Sequence, residues 1–141
     1  MKTIQQLAVL LENKNGMFEK FTNVLADAGV EIIVMSVADT TDFGVLRCIT
    51  ADNEKARKAL KDNGFAVRCT EMLGIAVDAN PGALNEIAKI FAENNIAIEY
   101  MYSYLRTSVN KVLLLLKVDD LGQTYGILSD LGVTFLSNDI L

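Results

Sequence analysis

The chain has no histidine, no tryptophan, one proline and two cysteines among its 141 residues. Without histidine there can be no Ser-His-Asp or Cys-His arrangement, and the commonest metal ligand is missing. Cys48 and Cys69 are too few for a disulfide scaffold and form no Cys-x-x-Cys pair, so the usual zinc and redox signatures are absent. They read as two reduced structural cysteines of a cytoplasmic protein. Neither Gly-x-x-x-x-Gly-Lys nor Gly-x-Gly-x-x-Gly occurs. No apolar run approaches the roughly 20 residues of a membrane span. The opening MKTIQQLAVLLENK alternates like a strand and lacks the small-residue cleavage site of a signal peptide. Carboxylates are common, but none is marked as a catalytic pair. The expectation is a protein with no catalytic residues, no metal and no cofactor.

Residues of the hydrophobic class make up 51% of the chain, and the net charge is −5. That sign repels phosphate backbones and anionic lipid, which argues against nucleic acid and membrane as partners. The most informative feature is a duplication. LAVLLENKNGMFEKFTNVLADAGVEI and LGIAVDANPGALNEIAKIFAENNIAI share one plan, with Gly16 and Gly82 at the same place 66 residues apart. Such a period is longer than a solenoid repeat and close to a small domain. A later pair, Gly64 and Gly132, is 68 apart, as a hairpin about two residues longer in the second copy would produce. Two domains follow, 1–70 and 71–141, small enough that each buries little surface alone. No Ser/Gly/Pro-rich linker separates them.

Periodicity predicts a strand over 4–11, a helix over 17–28 with Met17, Phe21, Val24, Leu25 and Ala28 on one face, and a strand over 30–37. A turn over 38–42 leads to a strand over 43–49. Asp52 or Asn53 caps a helix carrying Ala56, Ala59 and Leu60, and a strand over 66–70 completes βαββαβ. The second copy repeats it. A strand over 73–77 precedes a helix capped by Asn80 and started by Pro81, with Leu84, Ile87, Ile90 and Phe91 buried. Strands over 96–104 and 111–118 follow, then a helix opened by Asp119 and weakened by Gly122 and Gly126, then a strand over 133–136. Simple alternation places Glu31, Ile33, Met35 and Val37, and Glu99, Met101 and Ser103 in the second copy, on the helix-free face, where the apolar side chains suggest sheet-to-sheet dimerisation. Tyr100, Tyr102 and Tyr104 alternate on the other face, as core and edge filling or as a cavity lining.

The chemistry that remains lies in the two loops between strand one and helix one, Glu12-Asn13-Lys14-Asn15-Gly16 and Asp78-Ala79-Asn80-Pro81-Gly82. Glycine lets backbone approach a ligand closely. The first helical N–H groups favour a carboxylate, and Glu12, Asn13 and Asp78 suit an ammonium. A free amino acid offers both groups. The alternative is structural: two capped turns, with Asn15 and Asn80 as helix caps.

These residues resemble the ACT domain, a small-molecule-binding regulatory module. Asp78-Ala79-Asn80-Pro81-Gly82-Ala83-Leu84 is similar to its x-Pro-Gly-x-Leu signature after a polar pair, and Glu12-Asn13-Lys14-Asn15-Gly16-Met17-Phe18 matches with Asn15 in place of proline. Ala28-Gly29-Val30-Glu31-Ile32 and Asn94-Asn95-Ile96-Ala97-Ile98 resemble the family's approach to strand two. The resemblance covers nearly the whole chain as a tandem pair. It implies an α+β fold of two ferredoxin-like βαββαβ domains, antiparallel sheets with helices on one face, joined side by side into one eight-stranded sheet. It also implies amino-acid sites at that seam. One would join Glu12, Asn13, Lys14, Asn15, Gly16 and Met17 to Ala97, Ile98 and Glu99; the other would join Asp78, Asn80, Pro81, Gly82 and Ala83 to Glu31, Ile32 and Ile33. Ala79 lacks the polar group that Asn13 supplies, so the two sites cannot be equivalent.

Other modules with this strand order fit less well. An RNA-binding RRM needs paired aromatics and a basic face, a metal carrier needs cysteines after strand one, and an acylphosphatase-like enzyme needs an arginine in the first loop. The expectation is a cytoplasmic, non-catalytic regulatory or sensory protein that binds a free amino acid and works with a second copy or a partner enzyme. The alternative is a regulatory subunit or interaction module that modulates an amino-acid biosynthetic enzyme without binding a ligand itself.

Overall fold

The computed structural model describes residues 1–39, 43–106 and 110–138. The chain runs β1 (Ile4–Glu12), α1 (Met17–Asp27), β2 (Ile32–Asp39), β3 (Phe43–Thr50), α2 (Asn53–Asp62), β4 (Ala66–Asp78), α3 (Ala83–Glu93), β5 (Ile98–Arg106), β6 (Lys111–Val118), α4 (Leu121–Asp130) and β7 (Thr134–Leu136). Thr40, Thr41 and Asp42 of the expected turn lie outside the described residues. Two compact units form, Gln5–Thr70 and Met1–Ile4 with Glu71–Leu141. Strand order is β2-β3-β1-β4 in the first and β5-β6-β4-β7 in the second. Both are βαββαβ repeats with helices against one face, the α+β class expected. Seven strands are present among the described residues, not eight. The stretches 66–70 and 73–77 are one strand of 13 residues, because no glycine, proline or other turn residue interrupts Thr70-Glu71-Met72.

In the first unit, Leu7, Val9 and Leu11 of β1 and Leu46 and Cys48 of β3 pack with Phe21, Val24 and Leu25 of α1 and Ala56 and Leu60 of α2. Phe65 meets Phe21 edge-on at 6.3 Å between ring centroids. Asp52 caps α2 by accepting from the Lys55 amide (3.1 Å). Asn53 has a different task. Its Oδ1 accepts from both the amide and the hydroxyl of Thr50, and its Nδ2 donates to the Gln5 carbonyl at 2.7 Å, which ties the start of α2 to β1 and β3.

The second unit packs Leu73, Ile75 and Val77 of β4 and Leu114, Leu116 and Val118 of β6 with Ile87 and Phe91 of α3, Leu128 of α4 and Phe135 of β7. Leu84, expected in that core, is 51% exposed. The buried stripe of α3 is Ala83, Ile87, Ile90 and Phe91, and Leu84 falls beyond its edge. Asp120, not Asp119, caps α4 by accepting from the Gln123 amide (2.9 Å). The helix runs through Gly122 and Gly126, held by Leu128 and by Tyr125 stacked on Phe135 at 4.2 Å.

Both copies break register once in the strand after the first helix, between Ile32 and Val34 and between Ile98 and Tyr100, again 66 residues apart. Each bulge resets the alternation. Met35 therefore pairs with Cys48, Val37 with Leu46, Met101 with Leu116 and Ser103 with Leu114, all on the helix-bearing face. The expectation that these residues occupy the helix-free face is corrected. That face instead carries Tyr100, Tyr102 and Tyr104, half-buried opposite Lys117, Leu115 and Leu113. Among the described residues no helix is long and apolar enough to cross a membrane.

Candidate functional site

In the first loop, the Lys14 amide donates to the Glu12 carbonyl (2.8 Å) and the Met17 amide reaches the Lys14 carbonyl (3.4 Å). Gly16 closes the turn at φ +87°, a conformation that side chains disfavour, and its carbonyl accepts the first helical bond from Lys20. Asn15 does not cap α1, and no side chain does so. The amides of Phe18 and Glu19 in the first helical turn have no side-chain acceptor among the described residues and remain available to a ligand. Beside them lies a cleft of about 130 Å3 that brings together Glu12, Asn13, Lys14 and Met17 with Phe18 and Val37. The Lys14 ammonium sits 2.9 Å from Glu12, both exposed.

The second loop is built differently. Asn80 caps as expected, its Oδ1 accepting from the amides of Gly82 (3.1 Å) and Ala83 (3.0 Å). Gly82 has φ −92°, open to any residue. Asp78, offered to an ammonium by the sequence, contacts Lys111 of β6. A cleft of about 280 Å3 includes Asp78 and Ala83 but not Asn80, Pro81 or Gly82. It opens toward the turn between α4 and β7, lined there by Gly132 and Val133, whereas the first cleft opens toward β2 and β3. The two loops thus share a place in the repeat and differ in backbone, cap and cavity.

The strand-start residues lie apart from the loop of their own unit. Glu12 pairs with Phe43, whereas Ile32 pairs with Thr50, seven residues further along β3 and roughly 23 Å away at strand rise. Asp78 and Ile98 are likewise separated along β6, opposite Lys111 and Val118. Glu31 is exposed and its carbonyl accepts from the Ala51 amide (2.9 Å), Ile32 packs against the core, and Ile33 forms the bulge. Ala97 and Ile98 are exposed, and Glu99 lies 3.7 Å from the Lys117 ammonium. Neither of these two clefts includes the strand start of its own unit. Sequence reasoning missed Lys111 and Val37, and both follow from strand register: Lys111 pairs with Asp78, and β2 lies beside β3, the partner of β1. Among the described residues no cluster of three or more His, Cys, Asp or Glu could hold a metal.

Known proteins agree with this architecture. Protein BT0572 from Bacteroides thetaiotaomicron is 34% identical, with a TM-score of 0.90, and the match covers 96% of this chain and 93% of that one. The regulatory subunit of aspartate kinase from Thermus thermophilus, in its ligand-free form, shares the fold at 11% identity and a TM-score of 0.64, covering 94% of this chain and 92% of its own. The corresponding subunit from Thermus flavus does so at 13% identity and a TM-score of 0.59, covering 89% and 86%. No curated protein sequence matches the chain. The profile described as the ACT domain pair matches residues 2–141. With two βαββαβ repeats and a sequence match across nearly its full length, the chain belongs to the ACT domain pair family.

Proposed function

We propose that this chain is a non-catalytic regulatory protein that binds one free amino acid at the loop before α1, against the start of strand two of a paired ACT domain. The observation that carries the reading is the uncapped first turn of α1 beside Asn13 and Lys14. A ligand carboxylate would take the open amides, assisted by the helix dipole and the Lys14 ammonium. The ligand ammonium would take Glu12 in exchange for Lys14, an exposed pair that costs little to separate. Ala97, Ile98 and Glu99 are the proposed far wall. The matching set of Asp78, Asn80, Pro81, Gly82 and Ala83 with Glu31, Ile32 and Ile33 is the weaker site, because the Asn80 side chain already occupies the amides at the start of α3. The output of binding would pass to a second copy of the chain or to a partner enzyme through a bias in domain packing.

A thermal-shift series with the twenty amino acids tests this. One of them should raise the melting point increasingly with concentration, equivalent to about 2.7 kcal/mol at a hundredfold excess over its Kd. Gly16→Val should abolish the shift and Gly82→Val should preserve it. No shift with any amino acid removes the sensor reading and leaves the second one, a regulatory subunit acting by contact alone. That reading is favoured by the matched exposed pairs Phe18 with Leu84 and Met35 with Met101, each 66 residues apart.

A further inference from the structure

A different cleft, of about 460 Å3, lies in the unit Gln5–Thr70. Leu7, Val9 and Leu11 enter the helix-covered core, so Ala8 and Leu10 project from the opposite face of β1. By the same alternation Val45 of β3 and Ala66 and Arg68 of β4 share that face, and these five residues surround the cleft. Its lining is aliphatic except for Arg68, which is exposed and makes no ion pair among the described residues. The size is that of a small-molecule site.

The internal repeat shows what such a place accepts. Ala8 corresponds to Gly74, 66 residues on, and Arg68 to Leu136, 68 residues on, the same two offsets that relate the loop and helix-end glycines. In the second unit Leu136 pairs with Gly74, and the fully buried side chain of Ile4 lies against Gly74. A Cβ placed on Gly74 would come within 2.8 Å of Ile4 Cγ1 and 3.3 Å of Leu136 Cβ. The position is filled by a branched aliphatic chain there and stands open in the first unit, where a guanidinium replaces the leucine. We propose that the cleft binds a short aliphatic monocarboxylate, its chain over Ala8 where Ile4 sits in the second unit and its carboxylate on Arg68. Charge complementarity selects the head group and the repeat selects the tail.

Titration calorimetry of the full chain with butanoate, hexanoate and octanoate tests this. Saturable one-to-one binding is expected, tightening up to about fourfold per added methylene until the cleft is full. Octanol should bind at least roughly tenfold more weakly than octanoate, and Arg68→Gln should weaken octanoate by a similar factor. Ala8→Leu should abolish binding. Because Arg68 is exposed, Arg68→Gln keeps the test informative if Ala8→Leu fails to fold. Absence of saturable heat overturns the proposal, as do equal affinities for octanol and octanoate, or wild-type binding by both variants. Gly16→Val should leave octanoate binding unchanged, so failure here and failure of the amino-acid reading are separate results.

Discussion

Replacing Gly74 with alanine probes a tight contact of the second unit. The added methyl would lie 2.8 Å from Cγ1 and 3.3 Å from Cδ1 of Ile4, and 3.3 Å from Cβ of Leu136. Cγ1 is not the free end of a flexible side chain, and both neighbours are buried. Overpacking of this kind costs about 1–3 kcal/mol. Removing a mid-strand glycine returns about 0.5–1 kcal/mol of backbone entropy, so the net loss is about 1–2 kcal/mol. Urea titration followed by circular dichroism should show a lower midpoint with an unchanged m-value. Ile4→Ala alone empties a buried position at a cost of about 2–5 kcal/mol. The double variant should be more stable than the sum of the single losses, because the alanine methyl at 74 then occupies part of the vacated space. Gly74→Ala at or above wild-type stability, or strict additivity with Ile4→Ala, would refute the packing of Ile4 on Gly74 of β4.

The two loop glycines should behave differently despite their matching places in the repeat. Gly16→Ala forces a side chain to φ +87° with nothing near its Cβ, so the whole cost of about 1–2 kcal/mol is backbone strain. Gly82→Ala at φ −92° should be neutral or slightly stabilising; equal losses in thermal melts would contradict the two turn geometries. Burial pushes the Cys48 thiol from its ordinary 9.0 up to about 12. Below pH 9 the thiol is neutral in both states. Between about 9 and 12 the unfolded chain releases this proton and the folded chain holds it, so stability falls as pH rises through that window. Cys48→Ala should flatten the slope of unfolding free energy against pH there, and an unchanged slope rules out this origin. A thiol reagent should label Cys69 alone in the native protein and both cysteines in denaturant.

Much of the fold was legible because its elements rest on strong local periodicity. The apolar stripe from Phe21 to Leu25 located α1, and the run within Lys111–Val118 bounded β6. What sequence could not show depended on partners far along the chain. The bulges at Ile33 and Glu99 reverse which face Met35 and Met101 occupy, and no local residue pattern announces them. The junction Thr70-Glu71-Met72 between two expected strands stays extended within one strand, and near it Cys69 donates to Gln5 Oε1 and Glu71 accepts from the Thr3 hydroxyl. At the candidate site, the loop residues were legible from spacing. The asymmetry was not, since it turns on Asn80 bonding two amides while Asn15 bonds none, and on Lys111 reaching Asp78 from another strand.

The placement of Met1–Ile4 with Glu71–Leu141 has a consequence for biosynthesis. Residues 5–70 are synthesised in full before any of the surface that receives Ile4 has been translated. Gly74 is made 70 positions after Ile4, and Leu136 is made 132 positions after it. At ~5–20 residues per second, roughly 7–26 s separate the synthesis of Ile4 from that of Leu136.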